Sequence, residues 1–376
     1  MTSGSALTLS DYDQSLGVGT PTLYRMFCLR EMPNVDQLVF ALGKTLERFP
    51  RFATRIVLTD NGRAELVPLE GPLALELRPA ASWVPEEFRP EDVPLFVRGL
   101  TTEAETPVLA VTLTPVTNGA VLGVSWSHAV GDMYSYYLFH AYWNEQTRLA
   151  VIPDTAPGQR SARPATVSVA SPRSWVENSL DGEGRARGTK RYWEIIGFDQ
   201  DELEALRADL EKDGTVPSLN EALTAYIVHR FGFKLMGRRS GLRLRVPVNV
   251  RGAHPLVPED YIGNAIIEAL VPLDELADTP AAARATAHRI RETVRAARKP
   301  HNIESTIAVD ERGIRLLKND LPVYDRNTDI LSTNLSRMPF HKLDFGGGPP
   351  VRVFGWTYNG LRIVAAENGL EAHIFS

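Results

Sequence analysis

The residue best placed to do chemistry in this chain is His128. It follows an apolar run at 120–127, AVLGVSWS, that reads as a β-strand. After it come Ala129, Val130, Gly131 and Asp132, then a stretch at 133–147 whose large apolar and aromatic residues read as a mostly buried helix. Such a strand-to-helix junction holds an imidazole on the end of a rigid element. An imidazole there, with a pKa near neutrality, can take a proton from a hydroxyl or an amine at pH 7. Gly131 permits a tight bend between the two elements. Asp132 stands where the helix begins, so its carboxylate can cap the free N–H groups of the first turn or join an inter-strand ion pair; direct catalytic work is the other reading. From its own residues His128 is either a hydrogen-bonded structural histidine or a general base, and an H-x-x-x-D spacing alone does not separate the two.

The context is more specific. Residues 120–146 resemble the active-site segment of the BAHD acyltransferases, relatives of chloramphenicol acetyltransferase and of peptide-synthetase condensation domains. In that family the histidine of H-x-x-x-D-G is the general base; here Asp132 holds the fifth position and Met133 follows where the family usually has glycine. A second stretch at 343–350, LDFGGGPP, resembles the family's D-F-G-W-G-x-P. Asp344, Phe345, Gly346, Gly348 and Pro350 match, and Gly347 replaces the tryptophan. The preceding STNLSRMPFHKL resembles the T-S-W-x-x-x-P lead-in. Between the two motifs, Val248-Asn249-Val250-Arg251 and Tyr261-Ile262-Gly263-Asn264 resemble V-N-x-R and Y-F-G-N, and SLNEALTAYIVHRF resembles the helix that opens the second domain. The order agrees from about residue 10 to the C-terminus, in a chain shorter than the plant members.

The resemblance implies an α+β fold of two chloramphenicol acetyltransferase-like domains. Each would be a mixed β-sheet with flanking helices, with an active-site channel at their interface. It implies direct acyl transfer in a ternary complex, without an acyl-enzyme, from acyl-CoA to a small-molecule alcohol or amine. Acyl-CoA would be a co-substrate, and no cofactor would be bound permanently. Asp344 would be structural and pair with Arg251. An oxyanion donor is needed, and the hydroxyls or main-chain N–H groups of Ser332, Thr333 and Asn334 are the candidates. The helix at 279–299 carries Arg291 and Arg295 on one face with Arg298, either as a solvated surface or as contacts for coenzyme A phosphates. Two rivals remain at this stage. One is a condensation-like enzyme drawing on an acyl carrier protein; the other is a catalytically silent binding or scaffold module, which the missing tryptophan leaves open.

The elements around these motifs follow from pattern. With 376 residues the chain exceeds what one core usually holds. The expected domains are 1–155 and 190–376, joined by a Pro- and Gly-rich crossover at 156–189. Residues 34–49 read as an amphipathic helix capped by Asn34, with Gln37 reaching back and Pro50 stopping it. Asn-Gly pairs at 61–62, 118–119, 359–360 and 368–369 suggest type I′ hairpins. Residues 201–212 look helical. Ser218 opens a helix with a capping box to Glu221, and Thr279-Pro280 opens another. Leu242 to Val248 alternate as a strand, whose Pro247 suggests an edge or a strand end.

Composition excludes several classes. A formal net charge of −5, with no basic-aromatic pattern, argues against nucleic acid. The single cysteine, Cys28, lies in an apolar run, cannot form an internal disulfide, and reads as a buried hydrophobe. The first residues lack a signal-peptide pattern and no run is long enough to span a bilayer, so a cytoplasmic monomer is expected. No metal site is expected, because His128 and Asp132 have no visible co-ligands. Gly43-Lys44-Thr45 lacks the first glycine of a P-loop, Gly17-Val18-Gly19 lacks the third glycine of a dinucleotide fingerprint, and Ser125 lacks the closing glycine of a nucleophile elbow.

Overall fold

Period-2 and period-3.6 apolar patterns alternate along the chain, and the computed structural model turns them into sheets flanked by helices. It describes residues 7–9, 13, 22–59, 64–100, 107–150, 165–169, 193–255, 257–305, 325, 327–355 and 360–375. The strands, in chain order, are β1 (Leu7–Thr8), β2 (Leu23–Leu29), β3 (Thr54–Leu58), β4 (Ala64–Pro68), β5 (Leu73–Leu77), β6 (Leu109–Val116), β7 (Gly119–Trp126) and β8 (Ala165–Val169). They continue as β9 (Trp193–Asp199), β10 (Arg243–Asn249), β11 (Ile266–Pro272), β12 (Asp329–Asn334), β13 (Arg352–Gly355), β14 (Gly360–Ala366) and β15 (Gly369–Phe375). The α-helices used below are α1 (Val35–Arg48), α2 (Val93–Phe96), α3 (Met133–Leu149), α4 (Gln200–Asp209), α5 (Leu219–Met236) and α6 (Pro280–Ala297).

The chain divides into two units. The first comprises Met1–Arg185 with Ile262–Asn264 and Phe340–Trp356, so the Gly263-Asn264 pair and the 343–350 motif belong with the N-terminal half. Its main sheet has the order β13-β2-β7-β6-β5-β8, antiparallel from β13 to β6 and parallel from β6 to β8. A smaller antiparallel sheet has the order β1-β4-β3. Every residue of β2 is buried, and α1 packs on α3. Leu38, Leu42, Phe139 and Trp143 fill that contact, with the Trp143 indole donating to the Leu38 carbonyl at 3.0 Å. Burying large aromatic rings while satisfying their polar edge is the efficient use of such residues.

The second unit comprises Ala186–Tyr261, Ala265–Pro339 and Thr357–Ser376. Its mixed sheet runs β11-β10-β12-β14-β15-β9. Helices α5 and α6 pack together, and the core joins Leu223, Ile227 and Val228 of α5 with Ala287 and Ile290 of α6 and Leu244, Ile330, Ile363 and Ile374 of the strands. Each unit is thus a mixed sheet with helices, the architecture expected.

Local expectations fare unevenly. Asn34 caps α1 through the Gln37 N–H at 3.0 Å, but the Gln37 side chain does not reach back. It donates to the Thr147 carbonyl at 2.8 Å, stitching α1 to the end of α3. The Ser218–Glu221 capping box forms in both directions, and Thr279 caps α6 ahead of Pro280. Helix α4 is shorter than expected, ending at Asp209, and has its own capping box between Asp199 and Glu202. Pro247 stands beyond the three residues of β10 that pair with β12, so only the β11 side needs ladder bonds there. The crossover region holds β8, whose Ala-Thr-Val-Ser-Val sequence pairs in parallel with β5; the surrounding prolines had concealed it.

Strands β6–β7 and β14–β15 form the hairpins expected at two of the Asn-Gly pairs, but the glycine's place in them differs. In β6–β7 the register pairs Val116 with Gly119, so the central residues are Thr117 and Asn118, and Asn118 does not take the positive φ that type I′ requires. Gly119 opens β7 with φ 133°, and a Cβ there would run into the Leu29 carbonyl of the adjoining strand. Gly369 repeats the arrangement at φ 153° against the Phe198 carbonyl. The glycine is required beside the turn, where a neighbouring backbone approaches it. Asn61-Gly62, Asn359, Trp356 and Gly17-Val18-Gly19 lie outside the described residues.

Candidate active site

Strand β7 is buried along almost its whole length and ends at Trp126, whose indole stacks on Tyr136 of α3 with ring centroids 3.6 Å apart. Ser127 caps a short 3-10 turn, His128–Val130, and Asp132 then caps α3 through the Ser135 N–H at 3.1 Å. The capping role anticipated for Asp132 is the one seen, and its side chain is fully buried. Gly131 differs from expectation. Its backbone is extended, at φ 163°, a conformation open to any residue. What it provides is room: an added Cβ would lie 2.9 Å from the Ser135 Cβ. Ser135 uses that room to bind the 261–264 motif, donating to the Gly263 carbonyl at 2.9 Å and accepting the Gly263 N–H at 3.0 Å.

This hold brings Asn264 beside His128. The Asn264 amide nitrogen donates to the His128 carbonyl at 2.7 Å and to Asp13 Oδ1 at 2.9 Å, and its main-chain N–H reaches the same Asp13 oxygen at 3.2 Å. Asp13 in turn pairs with Arg51 at 2.6 Å, and Arg51 also donates to the Ala129 carbonyl at 3.2 Å. A buried carboxylate needs such partners, since an unpaired one would cost several kcal/mol. Asp13, Arg51 and Ser135 were not singled out from the sequence. Asn264 belongs to the motif at 261–264, and 251 residues separate it from Asp13.

His128 as a whole residue is half-buried. Its Nδ1 is buried and makes no hydrogen bond to another residue among those described. Burial lowers the imidazole pKa below its ordinary value. The ring's own main-chain carbonyl, Asp132, Asn264 and Asp13 oppose that fall without overcoming it. A neutral imidazole is the state a general base requires at pH 7.

The residue after Asp132 also has a defined place. Met133 Sδ accepts from the buried Arg25 guanidinium at 3.1 Å, and Arg25 lies 5.2 Å from the centre of the Phe340 ring. Behind the site, Trp126, Tyr136 and Trp143 are fully buried, as core packing predicts, whereas Tyr134 and Tyr137 are half-buried. Cys28 is buried and its thiol pKa is raised by desolvation, so it is the inert hydrophobe expected.

The second motif is a loop anchored in the core of the same unit. Phe345 packs against Phe27 and Trp143 at centroid distances of 5.0 and 5.2 Å. Asp344 is half-buried: its main-chain N–H donates to Asn144 Oδ1 at 2.6 Å, and its carboxylate accepts the Gly346 N–H at 2.8 Å. Arg251, in the second unit, donates to the Tyr261 carbonyl at 2.9 Å and to Asn249 Oδ1 at 3.3 Å. Gly347 is packed against the chain at Leu29 and Glu31, and a Cβ there would meet the Glu31 carbonyl oxygen.

Also in the second unit, the expected oxyanion candidates divide by strand alternation. Ser332 and Asn334 face α5, where they bond Thr224 at 3.3 Å and Asn220 at 2.7 Å. Thr333 points to the other face of the sheet and is half-buried. Arg291 is engaged by Glu221 and the Val216 carbonyl, while Arg295 is exposed. No group of His, Cys, Asp or Glu among the described residues could hold a metal ion, and no described helix is long and apolar enough to cross a membrane.

Comparison with known proteins matches this arrangement. A family model described as the Transferase family matches residues 91–366. Tryptamine hydroxycinnamoyltransferase 2 of Oryza sativa subsp. japonica is 24% identical over 342 residues, covering 85% of this chain and 77% of that protein. Among solved structures, F. sporotrichioides TRI101, complexed with coenzyme A and T-2, superposes with a TM-score of 0.70 at 15% identity, covering 99% of this chain and 95% of that one. Vinorine synthase superposes with a TM-score of 0.67 at 18% identity, covering 100% and 91%. The chain therefore belongs to the Transferase family of BAHD acyltransferases.

Proposed function

We propose that this protein transfers an acyl group from acyl-CoA to the hydroxyl or amine of a small molecule, with His128 as general base. The observation that carries the reading is the half-buried His128 just past the end of β7, whose imidazole burial disposes to its neutral form. Coenzyme A in the TRI101 complex supports the choice of donor.

The acceptor oxygen or nitrogen attacks the thioester carbonyl carbon while the imidazole takes its proton. The tetrahedral intermediate collapses, the C–S bond breaks, and the imidazolium returns the proton to the leaving thiolate. Acyl-acceptor and free thiol are the products, and nothing else is consumed. General-base assistance supplies about 10²–10⁴ in rate. Positioning the two substrates can supply about 7–11 kcal/mol, so the scaffold contributes at least as much as the base. Thr333 is our choice for the oxyanion donor, because its two neighbours are turned to α5. Arg295 is our choice for a coenzyme A phosphate.

The test is thiol release from a panel of acyl-CoA esters with mixed alcohol and amine acceptors, comparing the wild type with His128→Ala. The variant should fold normally and lose most turnover. Equal rates would remove His128 from the mechanism, and no thiol release from any ester would favour a carrier-protein donor or a silent module.

A further inference from the structure

The turn that carries His128 is held weakly by its own chain. Where β7 ends, the Ser127 N–H still reaches the Val108 carbonyl at 2.8 Å. Beyond that point the Val130 N–H reaches the Ser127 carbonyl, and the Ala129 N–H reaches Ser127 Oγ, only at 3.3 Å each. Bonds of that length lie at the weak end of the N–H···O range. The turn's shortest bond comes from outside it: Asn264 Nδ2 donates to the His128 carbonyl at 2.7 Å. The next carbonyl, that of Ala129, accepts Arg51 Nη2 at 3.2 Å. One carboxylate joins the two donors. Asp13 Oδ1 accepts the main-chain and side-chain N–H groups of Asn264, and Asp13 Oδ2 accepts the same Arg51 nitrogen at 2.6 Å. Arg51 is anchored in turn, since its carbonyl accepts Thr54 Oγ1 at 2.7 Å and Phe52 beside it is fully buried against Tyr136 and Phe139.

We propose that Asp13 and Arg51 are positioning residues for the acyl transfer, their ion pair clamping the consecutive carbonyls of His128 and Ala129 and so fixing where the His128 main chain stands. Arg51 grips the Ala129 carbonyl directly, and Asp13 acts on the His128 carbonyl through Asn264. The pair differs from an ordinary surface salt bridge. The Asp13 side chain is 2% exposed and that of Arg51 20%, so water and salt screen their attraction little. Its place matters as much as its strength, because both ends meet the three-residue turn between β7 and α3 rather than either element. A base has to stand within hydrogen-bond reach of the proton it takes, and a misplacement of about 1 Å can cost about 10²-fold in rate. The inference rests on His128 being the general base, but the hold on the turn can be read without any turnover.

The test combines steady-state kinetics with amide hydrogen exchange on the full chain. Arg51→Met removes the cation and keeps an apolar stem. Its kcat should fall about 10–100-fold, as displacement of a reacting group does. KM for acyl-CoA should stay within about twofold, since the change concerns the base and not donor binding. Arg51→Lys, which keeps the charge on a shorter donor, should recover part of kcat. Exchange at the Val130 N–H should quicken about tenfold or more in Arg51→Met, and by a larger factor than at Val124 in β7 or Phe139 in α3, because the turn alone is released. Arg51→Met leaves Asp13 buried without its cation and can fail to fold for that reason. The same change is therefore also made together with Asp13→Asn, which removes both charges and keeps an acceptor for Asn264; kcat should again fall about tenfold or more. Unchanged kcat in a folded variant lacking Arg51, a KM that rises as kcat falls, or exchange that quickens equally at all three amides would overturn the proposal. If His128→Ala retained turnover while Val130 responded as described, the general-base reading would fail and the clamp on the turn would stand. If His128→Ala lost turnover while Val130 did not respond to the loss of Arg51, the clamp alone would fall.

Discussion

Arg291 grips Glu221 with two nitrogens, Nε at 3.0 Å and Nη2 at 2.7 Å, and both side chains are only 14% exposed. Glu221 is also the capping-box acid at the start of α5, so the pair joins α6 to α5 at a cap. Arg291→Ala should therefore cost stability, about 1–3 kcal/mol for hydrogen bonds to a charged, mostly buried partner. Donor affinity should barely change. Arg295→Glu, at an exposed position, should do the reverse and weaken acyl-CoA binding with little effect on unfolding. Denaturant titration and donor binding on both variants separate the roles, and a loss of donor affinity confined to Arg291→Ala would reverse the assignment.

Gly347 stands where the family carries tryptophan, and the structure explains why tryptophan is not simply missing. Any Cβ at 347 would meet the Glu31 carbonyl oxygen and lie 3.3 Å from the Leu29 Cβ, both on the strand end and loop that follow β2. Restoring the family residue by Gly347→Trp should therefore destabilise the chain, by about 1–3 kcal/mol or more for overpacking. Gly347→Ala should already show part of the loss. Thermal unfolding of the two variants checks this, and a tryptophan variant as stable as the wild type would show that the loop moves aside freely.

Elements with a local signature were legible. The Ser218–Glu221 box, the Thr279-Pro280 start and the Asn34 cap each depend on residues within one turn of one another, and each appears as read. The capping role of Asp132 is equally local. What escaped depends on contacts distant in sequence. Asp13 meets Asn264 across 251 residues, and no spacing rule connects them. Gln37 gave up its local partner for the Thr147 carbonyl, 110 residues on, because α1 packs against α3. The glycines at 119 and 369 were identified, but their reason is a neighbouring strand's carbonyl and not the turn chemistry of the Asn-Gly pair.

His140 offers a test of acid sensitivity. It is fully buried, its Nδ1 bonds the Tyr136 carbonyl at 2.7 Å, and burial lowers its pKa from 6.5 to about 4. Between those two values the unfolded chain takes up a proton that the folded chain refuses. The contribution to stability is thus complete above pH 6.5, falls as the pH drops towards 4, and amounts to about 3 kcal/mol over the window. His140→Phe keeps an aromatic ring among Phe27, Trp143 and Phe345 and removes the titration. Its loss of stability between pH 7 and pH 4.5 should be smaller than that of the wild type by about 2–3 kcal/mol. Denaturant midpoints at the two pH values measure it, and parallel losses in both proteins would mean that His140 is protonated in the folded state.

The same reasoning applied to His128 gives a prediction about rate. Its folded pKa lies below 6.5 because burial outweighs the pull of the His128 carbonyl, Asp132, Asn264 and Asp13. The base is then unprotonated at pH 7, and kcat/KM should hold steady as the pH falls through 6.5 and decline only at lower values. Asp132→Asn sharpens the test. Asparagine caps a helix as well as aspartate does, so α3 keeps its N-terminus. The substitution removes a negative charge that favours the imidazolium, and with it gone the ring should hold its proton less firmly still. The acidic limb of the kcat/KM profile should therefore move to lower pH in Asp132→Asn than in the wild type. A limb centred at or above pH 6.5 in the wild type, or one displaced upwards in the variant, would show that a group other than this imidazole governs the rate.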